Sequence, residues 1–127
     1  MSGPFPKVHL VRHGETAWTI SGQATGRTDI PLTERGEREA QALRAQLTRV
    51  RFAGVFTSPL LRARRTAELA GFGAEAVADG DLMEWDYGAY EGRRKADIRA
   101  ERPACASSRT AALVGRPWTR WAPAQIA

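Results

Sequence analysis

Residues 8–16, VHLVRHGET, are an apolar run that ends abruptly at an arginine, a histidine and a glycine. The run predicts a β-strand over Val8–Val11, because short apolar segments bounded by turn residues are typical of buried strands. Arg12 and His13 would follow directly after the carboxyl end of that strand. Ligands of open α/β sheets bind at this edge, so the stretch predicts a site as well as a fold. His9, inside the run, is interpreted as a structural residue.

Strand and helix patterns alternate along the rest of the chain to about residue 101. Thr33 is the predicted N-cap of an amphipathic helix, and a strand is predicted over Gly54–Thr57. Ser58–Pro59 then opens a helix that runs to about Ala70. A further strand is predicted over Ala74–Ala78 and a last helix over Arg94–Glu101. Proline directly after a capping serine is typical of the first helical position. The alternation indicates an α/β fold with a largely parallel sheet.

The composition bounds the class of protein. The length of 127 residues suits one domain, and no window is apolar enough over ~18 residues to span a membrane. The first ten residues lack the apolar stretch of a secretory signal. A single cysteine, Cys105, excludes an internal disulfide and favours a reducing compartment, while two histidines without a cysteine cluster argue against zinc. We therefore expect a cytoplasmic globular protein with no membrane partner, metal or cofactor.

The net charge of +5 raises the question of nucleic-acid binding. Residues 1–103 carry 16 Lys/Arg against 14 Asp/Glu, whereas residues 104–127 carry three arginines and no acid. The basic excess therefore belongs largely to the tail, and a phosphate ligand could be a small molecule. We expect a small phosphorylated metabolite as the partner rather than nucleic acid; the sequence does not indicate the oligomeric state.

Four side chains at the predicted strand ends share one chemical use. A neutral imidazole at His13 can attack phosphorus, and the charge of Arg12 would help keep it unprotonated. Guanidiniums at Arg12 and Arg62 can hold the phosphoryl oxygens, and a carboxylic acid at Glu84 can protonate the departing alkoxide. Such a site needs no metal. The alternatives are a structural histidine, arginines on a solvated helix face and a glutamate that caps a turn.

Four motifs follow one another over residues 8–92, namely LVRHGET, TGRTDIPLTERG, TSPLLRARRTA and EWDYGAYEG. In this order they resemble the histidine phosphatase (phosphoglycerate mutase-like) superfamily. The resemblance implies a three-layer α/β/α fold with a mostly parallel sheet. It also implies that His13 is the phosphorylated nucleophile, that Arg12 and Arg62 bind the phosphate and that Glu84 donates the proton.

The resemblance extends to the substrate pocket. It implies substrate contacts for four further positions, Thr19, Thr25, Gly26 and Tyr87. Trp85 stands where the mutases tend to have arginine, and the motifs are more similar to sedoheptulose 1,7-bisphosphatase-like sugar phosphatases. Lys95, in contrast, matches a substrate-binding lysine of the mutases. We expect hydrolysis of small sugar phosphates through a phosphohistidine; the alternatives are mutase-type phosphoryl transfer and a non-catalytic phosphate-binding protein.

The family pattern stops after Pro103. The chain has no histidine after His13, whereas the family uses a second one. Shifting the reading frame two bases forward over Ser108–Arg120, with permitted third bases, yields ADGCPGGETLDQ, which resembles a segment that follows ERP in sugar-phosphatase relatives. We therefore expect residues 1–103 to be the N-terminal part of the domain and residues 104–127 to be a non-homologous tail, frame-shifted or disordered. The fold would then be incomplete at its C-terminus and the chain poorly active. A divergent C-terminus that serves as an interaction tail is the alternative.

Overall fold

The computed structural model describes residues 5–102, and within this range helices and strands alternate. The helices are α1 (Ala17–Ser21), α2 (Glu34–Leu47), α3 (Leu61–Ala67) and α4 (Lys95–Glu101), and the strands are β1 (Phe56–Thr57) and β2 (Val77–Ala78). A π-type turn, Glu68–Phe72, continues α3, and 3-10 turns lie at Gly80–Leu82 and Gly88–Tyr90. The predictions made for the tail, residues 104–127, fall outside the described residues.

The two strands form a parallel pair. Phe56 lies opposite Val77 and Thr57 opposite Ala78, with α3 in the connection between the strands. A parallel pair joined through a helix is the βαβ unit of α/β proteins. The α/β class and the parallel pairing that the sequence predicts are therefore confirmed.

The prediction of a strand over Val8–Val11 is wrong, because the structure has no strand there. Val8–Val11 forms no ladder with any described residue, and Leu10 is 92% exposed. A strand exists only through hydrogen bonds to a neighbour, and among the described residues β1 is paired with β2 alone. The ring of His9 nevertheless packs edge-on against Phe52 at 5.2 Å, and Phe52 packs in the same way against Phe72. The structural interpretation of His9 agrees with this packing.

The α2 helix begins as predicted. The hydroxyl of Thr33 accepts a hydrogen bond from the amide of Gly36 at 3.1 Å, and two glutamates in the first turn favour the positive end of the helix dipole. The face that contains buried Ala40 packs toward α3 and the π-type turn. A local capping signal was thus sufficient to place this helix.

The helix predicted to open at Ser58–Pro59 begins later, at Leu61. Leu60 has extended backbone angles and is the N-cap, so Ser58–Pro59 forms a turn before the helix rather than its first residues. The hydroxyl of Ser58 accepts the amide of Leu60 at 3.3 Å, and the carboxylate of Asp29 accepts the amide of Leu61 at 2.7 Å. A carboxylate 32 residues away therefore caps α3, and this contact carries no local signal.

The interior of the described range is small and partly polar. Its buried apolar residues are Ala24, Ala40, Leu60, Ala70, Phe72 and Ile98. Arg62 and Thr16 are the largest fully buried side chains. Among residues 5–102, no helix has both the length and the apolar character to cross a membrane. Burial of a whole arginine requires hydrogen-bonding partners, and these partners lie at the candidate site.

Candidate functional site

An open cavity of about 830 Å³ lies beside the carboxyl end of β1. Residues 7–13, the end of β1 and the segment 80–86 line it. All four predicted catalytic residues, Arg12, His13, Arg62 and Glu84, are among the lining residues. The structure thus brings together side chains from three separate parts of the sequence at the edge where α/β folds bind ligands.

The His13 imidazole is oriented by its own neighbour. Its Nδ1 lies 2.8 Å from the carbonyl oxygen of Gly14, and because a carbonyl only accepts, Nδ1 carries the proton. The lone pair of the neutral ring is then on Nε2. Burial lowers the pKa of His13 below its ordinary value of 6.5, and Arg62 and Arg12 lower it further, against the Gly14 hydrogen bond and Glu84. At neutral pH the ring has the protonation state of a nucleophile.

A buried threonine connects this segment to α3. The hydroxyl of Thr66, which is 3% exposed, accepts the amide of Gly14 at 3.2 Å and donates to the carbonyl of Arg62 at 2.7 Å. One hydroxyl therefore fixes the backbone after His13 relative to the backbone of Arg62. Thr66 is not predictable from the sequence as a residue of the site, because a threonine inside a helix gives no signal of a contact 52 residues away.

Arg62 is 2% exposed and contacts a loop across the site. Its Nη1 donates to the carbonyl of Thr28 at 2.9 Å, and its Nη2 donates to the carbonyl of Gly26 at 2.7 Å. A guanidinium has five N–H donors, so these two contacts leave three for an anion. Burial lowers the pKa of Arg62, and Glu84, Asp29 and Glu91 oppose the shift. The group remains a cation at the wall of the cavity.

Arg12 and Glu84 are exposed at the mouth of the cavity. Their charges act on His13 in opposite directions, because Arg12 lowers the imidazole pKa and Glu84 raises it. One carboxylate oxygen of Glu84 accepts the amide of Trp85 at 2.9 Å. An imidazole that shares a cavity with an accessible guanidinium and an accessible carboxylate can take part in binding an anion and exchanging protons with it.

The residues predicted to contact substrate, apart from the two arginines, do not line the main cavity. Thr19 lines a second cavity, of about 300 Å³, with Arg12 and His13. Its hydroxyl accepts the amide of Thr16 at 2.8 Å and donates to the carbonyl of the same residue at 2.8 Å, which completes the capping box of α1. This hydroxyl is thus already engaged in holding the start of α1.

Thr25, Gly26 and Tyr87 do not line the main cavity. The Thr25 hydroxyl donates to the carbonyl of Gln23 at 3.2 Å. Tyr87 is half-buried beside Gly26, and burial raises its pKa, with Glu84 and Glu91 acting in the same direction. Gly26 reaches the site only through its carbonyl oxygen, which accepts from Arg62.

Sequence reasoning also missed Glu91. One carboxylate oxygen accepts the amides of Gly26 and Thr28, at 2.8 and 3.0 Å. Glu91 belongs to the quoted motif EWDYGAYEG, so a signal existed, namely an acid in a matched motif with no assigned role. Within residues 5–102, no three His, Cys, Asp or Glu side chains are grouped so that they could hold a metal ion.

The sequence of the chain matches a known protein family. The sequence model of the histidine phosphatase superfamily (branch 1) matches residues 8–120. Sedoheptulose 1,7-bisphosphatase of Saccharomyces cerevisiae is 38% identical over 91% of the chain and 46% of its own length. An acid phosphatase of Mycobacterium tuberculosis is 42% identical over 74% of the chain and 47% of its own length.

Solved structures agree with the sequence relatives. The crystal structure of a phosphoglycerate mutase from Thermus thermophilus is similar with a TM-score of 0.65 and 40% identity, covering 74% of this chain and 52% of that one. The chain therefore spans about half the length of the relatives it matches. These relatives are named as a sugar bisphosphatase, an acid phosphatase and a mutase.

Proposed function

The chain belongs to the histidine phosphatase superfamily (branch 1), and from this premise we propose that it hydrolyses phosphomonoesters through a phosphohistidine at His13. Nε2 of His13 attacks phosphorus, and the bond from phosphorus to the ester oxygen breaks. Glu84, in its protonated form, gives its proton to the leaving alkoxide, which departs as the alcohol, and becomes a carboxylate. Water then attacks the phosphorus of the phosphohistidine and gives a proton to the Glu84 carboxylate, while the bond from phosphorus to Nε2 breaks. This step releases inorganic phosphate and regenerates both the imidazole and the acid.

The observation that carries the proposal is the hydrogen bond from Nδ1 of His13 to the carbonyl of Gly14. It leaves the lone pair on Nε2, and the lowered pKa of His13 keeps the ring neutral. Arg12 and Arg62, which line the same cavity, supply positive charge for the phosphoryl oxygens. A structural histidine on a solvated surface would not require two guanidiniums beside it.

The proposed substrates are small sugar phosphates in the cytosol. The similarity to a sugar bisphosphatase supports this class, and the open cavity of about 830 Å³ leaves room for a small ligand. The exposed carboxylate of Glu84 and the exposed guanidinium of Arg12 lie at its mouth. Mutase-type transfer is less well supported, because Lys95 does not line the cavity.

A second candidate function is phosphate binding without turnover. It is favoured by the sequence, in which no histidine follows His13. A site with two arginines and one imidazole can hold a phosphate even when a further group for proton transfer is lacking. The two candidates differ in one property, because only the enzyme forms a covalent bond to phosphorus.

The decisive experiment is hydrolysis of p-nitrophenyl phosphate without added metal, with His13→Ala as the test variant and Arg65→Ala, which lies outside the cavity, as the control. If the proposal is correct, the wild type and Arg65→Ala release nitrophenol, and His13→Ala does not. Alkaline quenching during turnover should also trap acid-labile phosphate on the wild type but not on His13→Ala. Label that persists in His13→Ala would contradict the mechanism. Phosphate binding by wild type with neither turnover nor label would identify the binding protein instead.

A further inference from the structure

The loop Gly26–Thr28 is held between two opposite charges. Arg62 donates to the carbonyl oxygens of Gly26 and Thr28, at 2.7 and 2.9 Å. Glu91 accepts the amides of the same two residues with one carboxylate oxygen, at 2.8 and 3.0 Å. Each of these residues thus gives its amide to the carboxylate and its carbonyl to the guanidinium. This arrangement connects two ionic side chains through backbone.

We propose that Glu91 is a positioning residue, which fixes the Arg62 guanidinium in the phosphate site by holding the loop to which Arg62 donates. The nature of the anion rests on the proposed function, whereas the positioning itself does not. Arg62 is placed on α3 by its backbone, but an arginine side chain has many rotamers. The carbonyls of Gly26 and Thr28 select one of them and leave three N–H donors for the anion.

The loop lies in close contact with the segment that carries Glu91. A Cβ atom at Gly26 would lie 2.0 Å from the carbonyl oxygen of Trp85 and 2.7 Å from Oε2 of Glu91. Only a glycine permits this approach, because real Cβ contacts are never so short. The loop and the segment 85–91 therefore pack backbone to backbone, and a displacement of one would displace the other.

Glu91 is itself anchored by the residues that follow it. The amide of Gly92 donates to the carbonyl of Ala24 at 2.8 Å, and the amide of Ala24 donates to the carbonyl of Arg93 at 2.8 Å. The side-chain amide of Gln23 adds a third bond, to the carbonyl of Gly92, at 2.7 Å. These bonds join the start of the loop to the chain around Glu91 and define the position from which the carboxylate acts.

The charge state of Glu91 suits this role. Burial alone would raise the pKa of its carboxyl group, but hydrogen bonds from Thr28, Gly26 and Tyr87 outweigh burial and lower the pKa. Glu91 is thus a carboxylate at neutral pH and can accept both amides. Hydrogen bonds to an ionised acceptor are roughly twice as strong as neutral ones. A glutamine at this position would keep the acceptor oxygen but lose the charge.

The test is solvent exchange of the Arg62 Nε–H, followed by ¹⁵N NMR and assigned by its loss in Arg62→Lys, together with binding of inorganic phosphate. The variants are Glu91→Ala and Glu91→Gln, with Glu68→Ala as the control, since Glu68 pairs with Arg65 on the exposed side of the same helix. We expect slow exchange in the wild type and control, faster exchange in Glu91→Gln and fastest in Glu91→Ala. Phosphate affinity should fall in the same order, by about tenfold for Glu91→Ala, as when the outer partners of metal ligands are removed.

Unchanged exchange of the Arg62 Nε–H in folded Glu91→Ala would overturn the proposal. If Glu91→Ala does not fold, Glu91→Gln provides the test. An Arg62 Nε–H exchange rate in Glu91→Gln equal to that of the wild type would also overturn the proposal. A wild type that binds no phosphate would refute the proposed function, while the exchange rates would still decide the positioning. Equal acceleration in Glu68→Ala would show a general loosening of the protein and would count against Glu91.

Discussion

A Cβ atom at Gly14 would lie 2.3 Å from the carbonyl oxygen of Gly36. The contact is reciprocal, because a Cβ atom at Gly36 would lie 2.2 Å from the carbonyl oxygen of Glu15. The residue after His13 and the first turn of α2 thus meet backbone to backbone. The hydrogen bond from Gly14 to Thr66 fixes the same segment from the side of α3. The orientation of His13 therefore depends on two glycines that stand 22 positions apart.

Gly36→Ala should destabilise the protein although it lies inside a helix. In an open helix, alanine is about 0.8–1.0 kcal/mol more favourable than glycine. Here the added methyl group meets backbone that cannot move without displacing the segment that follows His13, and overpacking of this kind costs about 1–3 kcal/mol. Urea unfolding measures the difference. Gly80→Ala is the control, since nothing lies within 4 Å of its Cβ position. Equal stability of the two variants would contradict the contact.

The charges around His13 predict two pKa changes of opposite sign. Arg12 lowers the pKa of the imidazole, so Arg12→Ala should raise it toward 6.5. Glu84 raises that pKa, so Glu84→Gln should lower it further. NMR titration of the His13 ring proton measures both changes. Shifts in the same direction in the two variants would contradict the arrangement of the site.

The lowered pKa of His13 also predicts a pH dependence of stability. Between the folded pKa and 6.5, the unfolded chain binds more protons than the folded protein, so the free energy of unfolding rises with pH in this window. The contribution is fully present above 6.5 and is lost as the pH falls toward the folded pKa. His13→Asn should flatten this part of the profile in urea unfolding across the window. A profile unchanged by the substitution would show that other groups cause the dependence.

The sequence predicted what local patterns encode. Thr33 is predictable as a helix cap because its partner, Gly36, is three residues away. Val8–Val11 has the composition of a strand, but pairing requires a neighbour, and none of the described residues provides one. The four residues at the cavity were found through their chemistry, while Glu91 was missed because its partners lie 63 and 65 residues away. Residue type thus predicts a chemical role, whereas the contacts that fix its position are encoded by the fold.

Two arginines of α3 should differ sharply in their effect on turnover. Arg62→Ala removes the buried guanidinium at the cavity, and in phosphoryl transfer a positioned arginine is worth ~10³–10⁵ in rate. Arg65 donates to Glu37 at 3.0 Å and pairs with Glu68 at 3.1 Å, outside the cavity. Arg65→Ala should leave turnover close to that of the wild type and change stability little, because exposed ion pairs contribute little. Turnover of p-nitrophenyl phosphate at a temperature where both variants are folded makes the comparison, and equal losses would contradict the assigned role.

Glu84→Gln should separate substrates by their leaving groups. In the wild type, the amide of Trp85 donates to the Glu84 carboxylate at 2.9 Å. The glutamine retains an oxygen that can accept this hydrogen bond, so the backbone conformation around residue 84 should be unchanged. It cannot give a proton to a departing alkoxide, and loss of a general acid costs ~10²–10⁴ in rate. Alkyl phosphates such as glycerol phosphate should therefore lose most of their turnover. Nitrophenolate leaves without a proton, so p-nitrophenyl phosphate should lose little. Equal losses on both substrates would mean that Glu84 acts through its charge, and the His13 titration in the same variant would then measure that effect.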